Sequence, residues 1–226
     1  MPEPTTDTYE TLCRELAAAD AHLVAVSKTH PVAKIRSLYD RGQRDFGENR
    51  VSELTEKAAA LPDDIRWHFI GHLQRNKVRD VVPHVHLIHS GDSLRLLREV
   101  DKRAGEIHRS VDVLLQFHIA EEESKYGLTL KTGRAALDEL AATPLPHVRI
   151  VGVMGMATYT SDKEQVAAEF QTLRDIFQEL QRDYFADDPA FKEISMGMSG
   201  DYPLALERGS TMVRVGSLLF GERDYQ

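Results

Sequence analysis

The sequence predicts a single closed (β/α)8 barrel, a TIM barrel, over residues 1–226. Two observations lead there. Short, continuous apolar segments of strand length alternate with amphipathic helical stretches, the pattern of a parallel sheet covered on both faces. Eight such units share 226 residues, close to the roughly 250 of a typical barrel of this kind. An open doubly wound sheet is the alternative arrangement of the same units. No repeat, low-complexity tract or linker divides the chain, and ADDPAF (186–191) is a turn too short to separate domains.

The elements follow in order. An opening helix over residues 8–19 precedes the strand 22–27, and a helix carrying Val32, Ile35, Leu38 and Tyr39 stops at Gly42. DFG (45–47) is a weak strand before the helix 50–60. RWHFIG (66–71) is a strand and 74–82 a helix. VHLIHS (85–90) is a strand, and Asp92 or Ser93 opens a helix to residue 107. Residues 110–119 form a strand, followed by the loop EEESKYG and a helix over 133–141. HVRIVGVMGM (147–156) is a strand and 162–184 the longest helix. EISMG (193–197), a helix over 201–208 and TMVRVG (211–216) complete the set before SLLFGERDYQ.

The bulk numbers exclude several function classes. A formal net charge of −8 argues against nucleic acid or an anionic membrane as the principal partner. The apolar runs are strand-length, so no transmembrane span is expected, and the N-terminus lacks the pattern of a signal peptide. A single cysteine, Cys13, excludes an internal disulfide framework and fits a reducing, cytoplasmic setting; its place beside Leu12 and Leu16 gives it a packing role.

In a barrel, function gathers at the carboxyl ends of the strands. The first strand ends in VAVSKTHP (24–31), which delivers Lys28 to that mouth. A lysine among apolar walls becomes an amine nucleophile for a carbonyl, whereas at an ordinary surface it only snorkels to water. The seventh strand ends in SMGMSGD (195–201) and the eighth in RVGSLLFG (214–221). Loops in these two positions often hold a phosphate. Gly216 lets backbone approach a ligand, Ser217 adds a hydroxyl, and Ser199 either contributes to such a cradle or caps the next helix. Lysine and cradle together suit a phosphorylated aldehyde, either pyridoxal 5′-phosphate or the substrate of a phosphosugar aldolase. Arg214 favours the first if it faces a ring nitrogen, and otherwise clamps phosphate or pairs in the barrel wall. HVHLIH (84–89) places His84 and His86 on one strand face and His89 on the other, so no metal site is expected. His72 either approaches the mouth or is a satisfied structural histidine, the four methionines at 154, 156, 196 and 198 read as packing, and EEE (121–123) as a solvated loop.

AVSKTHP (25–31), FGENRVSE (46–53), WHFIGHLQRNK (67–77), EEESKYGL (121–128), GVMGMAT (152–158) and SMGMSGDYPLALERGSTMVRVGSLLFGERDY (195–225) resemble the pyridoxal-phosphate homeostasis family, the YggS-type relatives of the alanine racemase barrel. The resemblance spans nearly the whole chain and implies a fold-type III PLP-binding barrel without a C-terminal β domain. It also implies that Lys28 carries the cofactor as an internal aldimine and that Asn49 lies close to it. Ser199 with the backbone at Val215, Gly216 and Ser217 would hold the phosphate, and Arg214 would face the ring nitrogen. His118, Thr158 and Gly200 depart from residues common in the family. The resemblance further implies a carrier and regulator of pyridoxal 5′-phosphate without robust catalysis; a monomer is expected, since the second domain that completes the racemase dimer is absent, and apo PLP-dependent enzymes are candidate partners. A small amino-acid racemase with Lys28 as its base is the alternative.

Overall fold

β1 (His22–Val26) pairs in parallel with β8 (Met212–Val215) from His22 opposite Met212 to Ala25 opposite Val215, and this pairing closes the sheet. The computed structural model describes residues 6–121 and 126–221. Between the closing strands lie β2 (Asp45–Glu48), β3 (Arg66–Phe69), β4 (Val85–Gly91), β5 (Val111–Gln116), β6 (Val148–Met154) and β7 (Glu193–Met198), paired in chain order as a closed barrel. The helices are α1 (Thr6–Ala18), α2 (Val32–Asp40), α3 (Val51–Ala60), α4 (Val78–Val81), α5 (Leu94–Glu106), α6 (Leu130–Ala142), α7 (Lys163–Tyr184), α8 (Tyr202–Glu207) and α9 (Ser217–Phe220).

Local chemistry sets several boundaries differently from the sequence reading. The helix expected over 74–82 is a 3-10 turn, Arg75–Lys77, followed by the single turn of α4. The helix expected from residue 133 begins at Leu130, because Thr129 and Thr132 cap one another's backbone amides. β5 stops at Gln116, after which Phe117 makes a single bridge to Leu128 as the chain turns away. The EEE run reaches residues 122–123, and these lie outside the described residues.

The core has two layers. Val24, Leu87, Leu114, Val151, Met154 and Met212 pack inside the barrel. The second layer lies between the strands' outer faces and the helices. There α7 contributes Val166, Phe170, Leu173, Phe177 and Leu180, spaced to fall on one face. Each such fully buried side chain contributes about 1.5–3 kcal/mol relative to exposure. Cys13 is half-buried against this layer, as expected of a packing residue. Met154 and Met196 pack in the core, but Met198 is exposed at the mouth. Among the described residues no helix is long and apolar enough to cross a membrane.

Candidate functional site

Past the end of β1 the chain makes a sharp, pinned excursion that presents Lys28. Ser27 is buried and donates its hydroxyl to Glu48 Oε1 at 2.6 Å. Thr29 adopts a left-handed φ of 66° and donates its amide to Glu53 Oε2 at 2.6 Å. That conformation costs a β-branched residue about 1–2 kcal/mol, so neighbours must impose it. Lys57 does so from α3, donating to Ser27 O at 2.9 Å, Glu48 Oε1 at 2.8 Å and Glu53 Oε2 at 2.9 Å. Burial pushes the Glu48 carboxyl up, and Lys57 and Ser27 oppose that push. Lys28, half-buried, therefore sits between two residues fixed by one buried charge cluster.

The loops after β7 and β8 meet beside it. Gly216 donates its amide to Ser199 Oγ at 3.2 Å. Ser199 is thus tied to the β8 loop rather than capping α8, whose N-cap position is Asp201. A Cβ at Gly216 would come within 3.2 Å of Val26 O and 3.3 Å of Val26 Cβ, so glycine lets this backbone close on β1. Val26, Lys28, His30, Gly216, Ser217 and Gly221 line one narrow cleft. His30 stacks on Phe220 at 4.9 Å, and Lys34 Nζ donates to Phe220 O at 2.9 Å, which fastens α9 to the loop that carries Lys28. Val215 is buried in the wall beneath.

Arg214 is 4% exposed. Its Nη1 donates to Ser195 Oγ at 2.6 Å and its Nη2 to Gly155 O at 3.0 Å. Burial lowers its pKa to about 10, and Asp201 opposes the shift. Among the described residues its hydrogen-bond partners are all neutral, so a buried cation lacks a contacting counter-ion. Asn49 follows β2, whose Gly47 is in register with Val26, and it lines a cavity with Arg50, Phe69 and His72 rather than the Lys28 cleft. Its Oδ1 is buried without a partner among the described residues. Gly71 permits the approach, since a Cβ there would stand 2.5 Å from Asn49 O.

Other residues singled out in the sequence resolve differently. His72 bonds Asp92 at 3.1 Å and stacks on Tyr126 at 4.2 Å, a satisfied side chain near the rim. His118 donates its amide to Leu128 O and shapes the loop after β5. Thr158 uses an amide that proline would lack, donating it to Glu169 Oε2 at 2.6 Å and its hydroxyl to Glu169 Oε1 at 2.7 Å. His89 turns into the barrel, away from His84, and bonds Ser195 and His68. Sequence reasoning missed the Glu48–Lys57–Glu53 cluster. Its signal is Lys57 placed one turn after Leu54 on the face of α3 that packs inward.

The family model for the alanine racemase N-terminal domain matches residues 7–224. A pyridoxal phosphate homeostasis protein of Aquifex aeolicus is 42% identical over 206 residues, covering 91% of this chain and 88% of that protein. Its counterpart in Homo sapiens is 40% identical over 224 residues, covering 94% and 80%. PipY of Synechococcus elongatus, solved with PLP bound, superposes with a TM-score of 0.84 at 40% identity, covering 95% of this chain and 99% of that one. An alanine racemase of Clostridium difficile shares the fold at 14% identity and a TM-score of 0.74, and the match covers 56% of its length. With its strands closed in chain order and its family match running from residue 7 to residue 224, the chain belongs to the pyridoxal phosphate homeostasis proteins, within the alanine racemase N-terminal-domain family.

Proposed function

We propose that this protein binds pyridoxal 5′-phosphate at the carboxyl mouth of its barrel and acts in PLP homeostasis as a carrier and regulator. Lys28 is the residue that bonds the aldehyde. Ser199 and the backbone of Val215, Gly216 and Ser217 hold the phosphate, Arg214 faces the ring nitrogen, and Asn49 flanks the ring. When bound, the cofactor supplies an aldehyde carbon open to an amine and a ring able to withdraw electrons. The residues present fit that group. Arg214 offers a buried cationic donor with only neutral partners, Asn49 an unmet amide oxygen, and Gly216 a backbone close to β1.

The observation that carries the reading is one cleft lined by Lys28, Gly216 and Ser217, with Ser199 bonded to the Gly216 amide. An arginine at the ring nitrogen keeps it unprotonated and weakens the ring as an electron sink, which favours this cofactor over a phosphosugar as the occupant. Relatives named for PLP homeostasis, matched over most of their length, support the carrier reading over a racemase. A soluble, cytoplasmic, monomeric protein that hands its cofactor to apo PLP-dependent enzymes completes the proposal.

The test is to add pyridoxal phosphate, record a visible absorption band, reduce with borohydride and map the label. Label on Lys28, with activation of an apo-enzyme by the loaded protein, supports the reading. Label elsewhere, or no band, overturns it. Chiral analysis of amino acids incubated with the loaded protein tests the racemase alternative, which turnover at enzyme-like rates would establish.

A further inference from the structure

Beside the apolar filling of the barrel runs an oblique row of polar side chains that the cofactor site touches only at one end. At the amino-terminal mouth, Arg66 grips Asp45 with two hydrogen bonds of 2.7 and 2.5 Å. Asp45 Oδ1 lies 3.0 Å from His68 Nε2, His68 Nδ1 lies 2.9 Å from His89 Nε2, and His89 Nδ1 lies 3.0 Å from Ser195 Oγ. Ser195 Oγ in turn accepts from Arg214 Nη1 at 2.6 Å. His68, His89 and Ser195 are buried. The outer end opens on a cavity of about 580 Å³ whose lining includes Asp45, Arg66, His68, His86, Arg149 and Lys192.

With His68 taken as singly protonated, the chemistry of the partners sets where each proton lies. An ionised carboxylate only accepts, so His68 carries its proton on Nε2. Neutral His68 then offers a lone pair at Nδ1, which requires the proton of His89 on Nε2. His89 Nδ1 is left as an acceptor and takes the Ser195 hydroxyl proton. The Ser195 lone pairs then face Arg214. Every donor meets an acceptor, and all the bonds run one way, from Arg214 to Asp45. Burial above all holds His89 in its neutral form, which leaves it one ring proton to place. The groups facing the row from neighbouring strands are Arg66 and His86, the latter's ring 5.8 Å from that of His68.

We propose that His89 is a positioning residue for Arg214, and that Asp45, at the opposite mouth of the barrel, dictates the tautomer through which it acts. The inference rests on the reading that Arg214 faces the ring nitrogen. Its consequence is that the two ends of the barrel are joined: a change of charge at Asp45 alters the hydrogen bonding of the guanidinium four links away.

Two measurements test it. In ligand-free protein labelled with 15N in its imidazoles, NMR should show His89 protonated at Nε2 with an acceptor Nδ1, and Asp45→Ala should convert it to a tautomer mixture. In the loaded protein, Asp45→Ala should shift the cofactor absorption band and weaken pyridoxal phosphate binding about threefold or more, the low end of coupling within one network. Asp112→Ala is the control. It breaks the Asp112–Arg149 pair, also two-pronged, at the same mouth but outside the row, and should leave band and affinity unchanged. A wild-type His89 protonated at Nδ1, or Asp45→Ala behaving like Asp112→Ala, overturns the proposal. Failure of the wild type to take up pyridoxal phosphate, or an unaltered spectrum in Arg214→Met, overturns the cofactor reading instead; the ligand-free NMR then decides the direction of the row alone.

Discussion

Lys57 places its ammonium 2.8 Å from Glu48 Oε1, and the two side chains retain only 7% and 0% of their exposure. The pair lies under the loop that presents Lys28, so its integrity is a condition of the site. Removing the cation strands a buried carboxylate. Lys57→Met should destabilise the fold by about 3–5 kcal/mol in denaturant unfolding. Adding Glu48→Gln should recover part of that loss, because the stranded charge goes with it.

Thr29 offers the opposite trade. Its left-handed backbone suits glycine, so Thr29→Gly should raise stability by up to about 1 kcal/mol. The same change frees the loop, and titration with pyridoxal phosphate should show weaker binding despite the more stable fold.

Gly216→Val tests the phosphate cradle. A Cβ already meets Val26 O at 3.2 Å, and two further methyl groups must push the β8 loop off β1. Circular dichroism should remain that of a folded barrel while affinity for pyridoxal phosphate falls at least about tenfold, equivalent to about 1.4 kcal/mol.

Arg214→Met removes a buried cation whose hydrogen-bond acceptors among the described residues, Ser195 Oγ and Gly155 O, are both neutral. The melting temperature of the ligand-free protein should stay within a few degrees of wild type. The upward shift that pyridoxal phosphate gives the wild type should shrink, since ligand stabilisation scales with affinity.

Asp45 gives a pH signature. Burial raises its carboxyl pKa, but the hydrogen bonds from Arg66 and His68 outweigh burial and hold it well below the usual range. The unfolded chain, with an Asp pKa near 3.9, therefore takes up the proton first as pH falls. The stabilisation is complete above about pH 5 and is lost progressively through pH 4 and below. Urea unfolding between pH 7 and pH 3 should show a shallower acid limb in Asp45→Asn than in wild type.

The barrel was legible because strand-length apolar runs and amphipathic helices are one-dimensional patterns. Lys28, Gly216 and Ser217 were legible too, since the ends of strands one and eight are neighbours in any closed eight-strand barrel. The Asp45–His68–His89–Ser195 row was not. Its members come from four strands, and their contact depends on barrel stagger, which no local spacing encodes. His89 shows the limit well. Strand alternation set it opposite both His84 and His86, but the register shift between β3 and β4 brings His86 and His89 alike against the ring of His68. Ser199 shows another: sequence alone could not tell whether it caps α8 or ties to the β8 loop, and the Gly216 amide reaches it from that loop.

Pairing of β1 with β8 has a consequence for biosynthesis. Lys28 leaves the ribosome 189 residues ahead of Ser217 (217 − 28), a lag of roughly 10–40 s at ordinary elongation rates. Throughout that interval the amine has no partner loop, so under the proposed function a nascent chain cannot yet grip the phosphate of its cofactor.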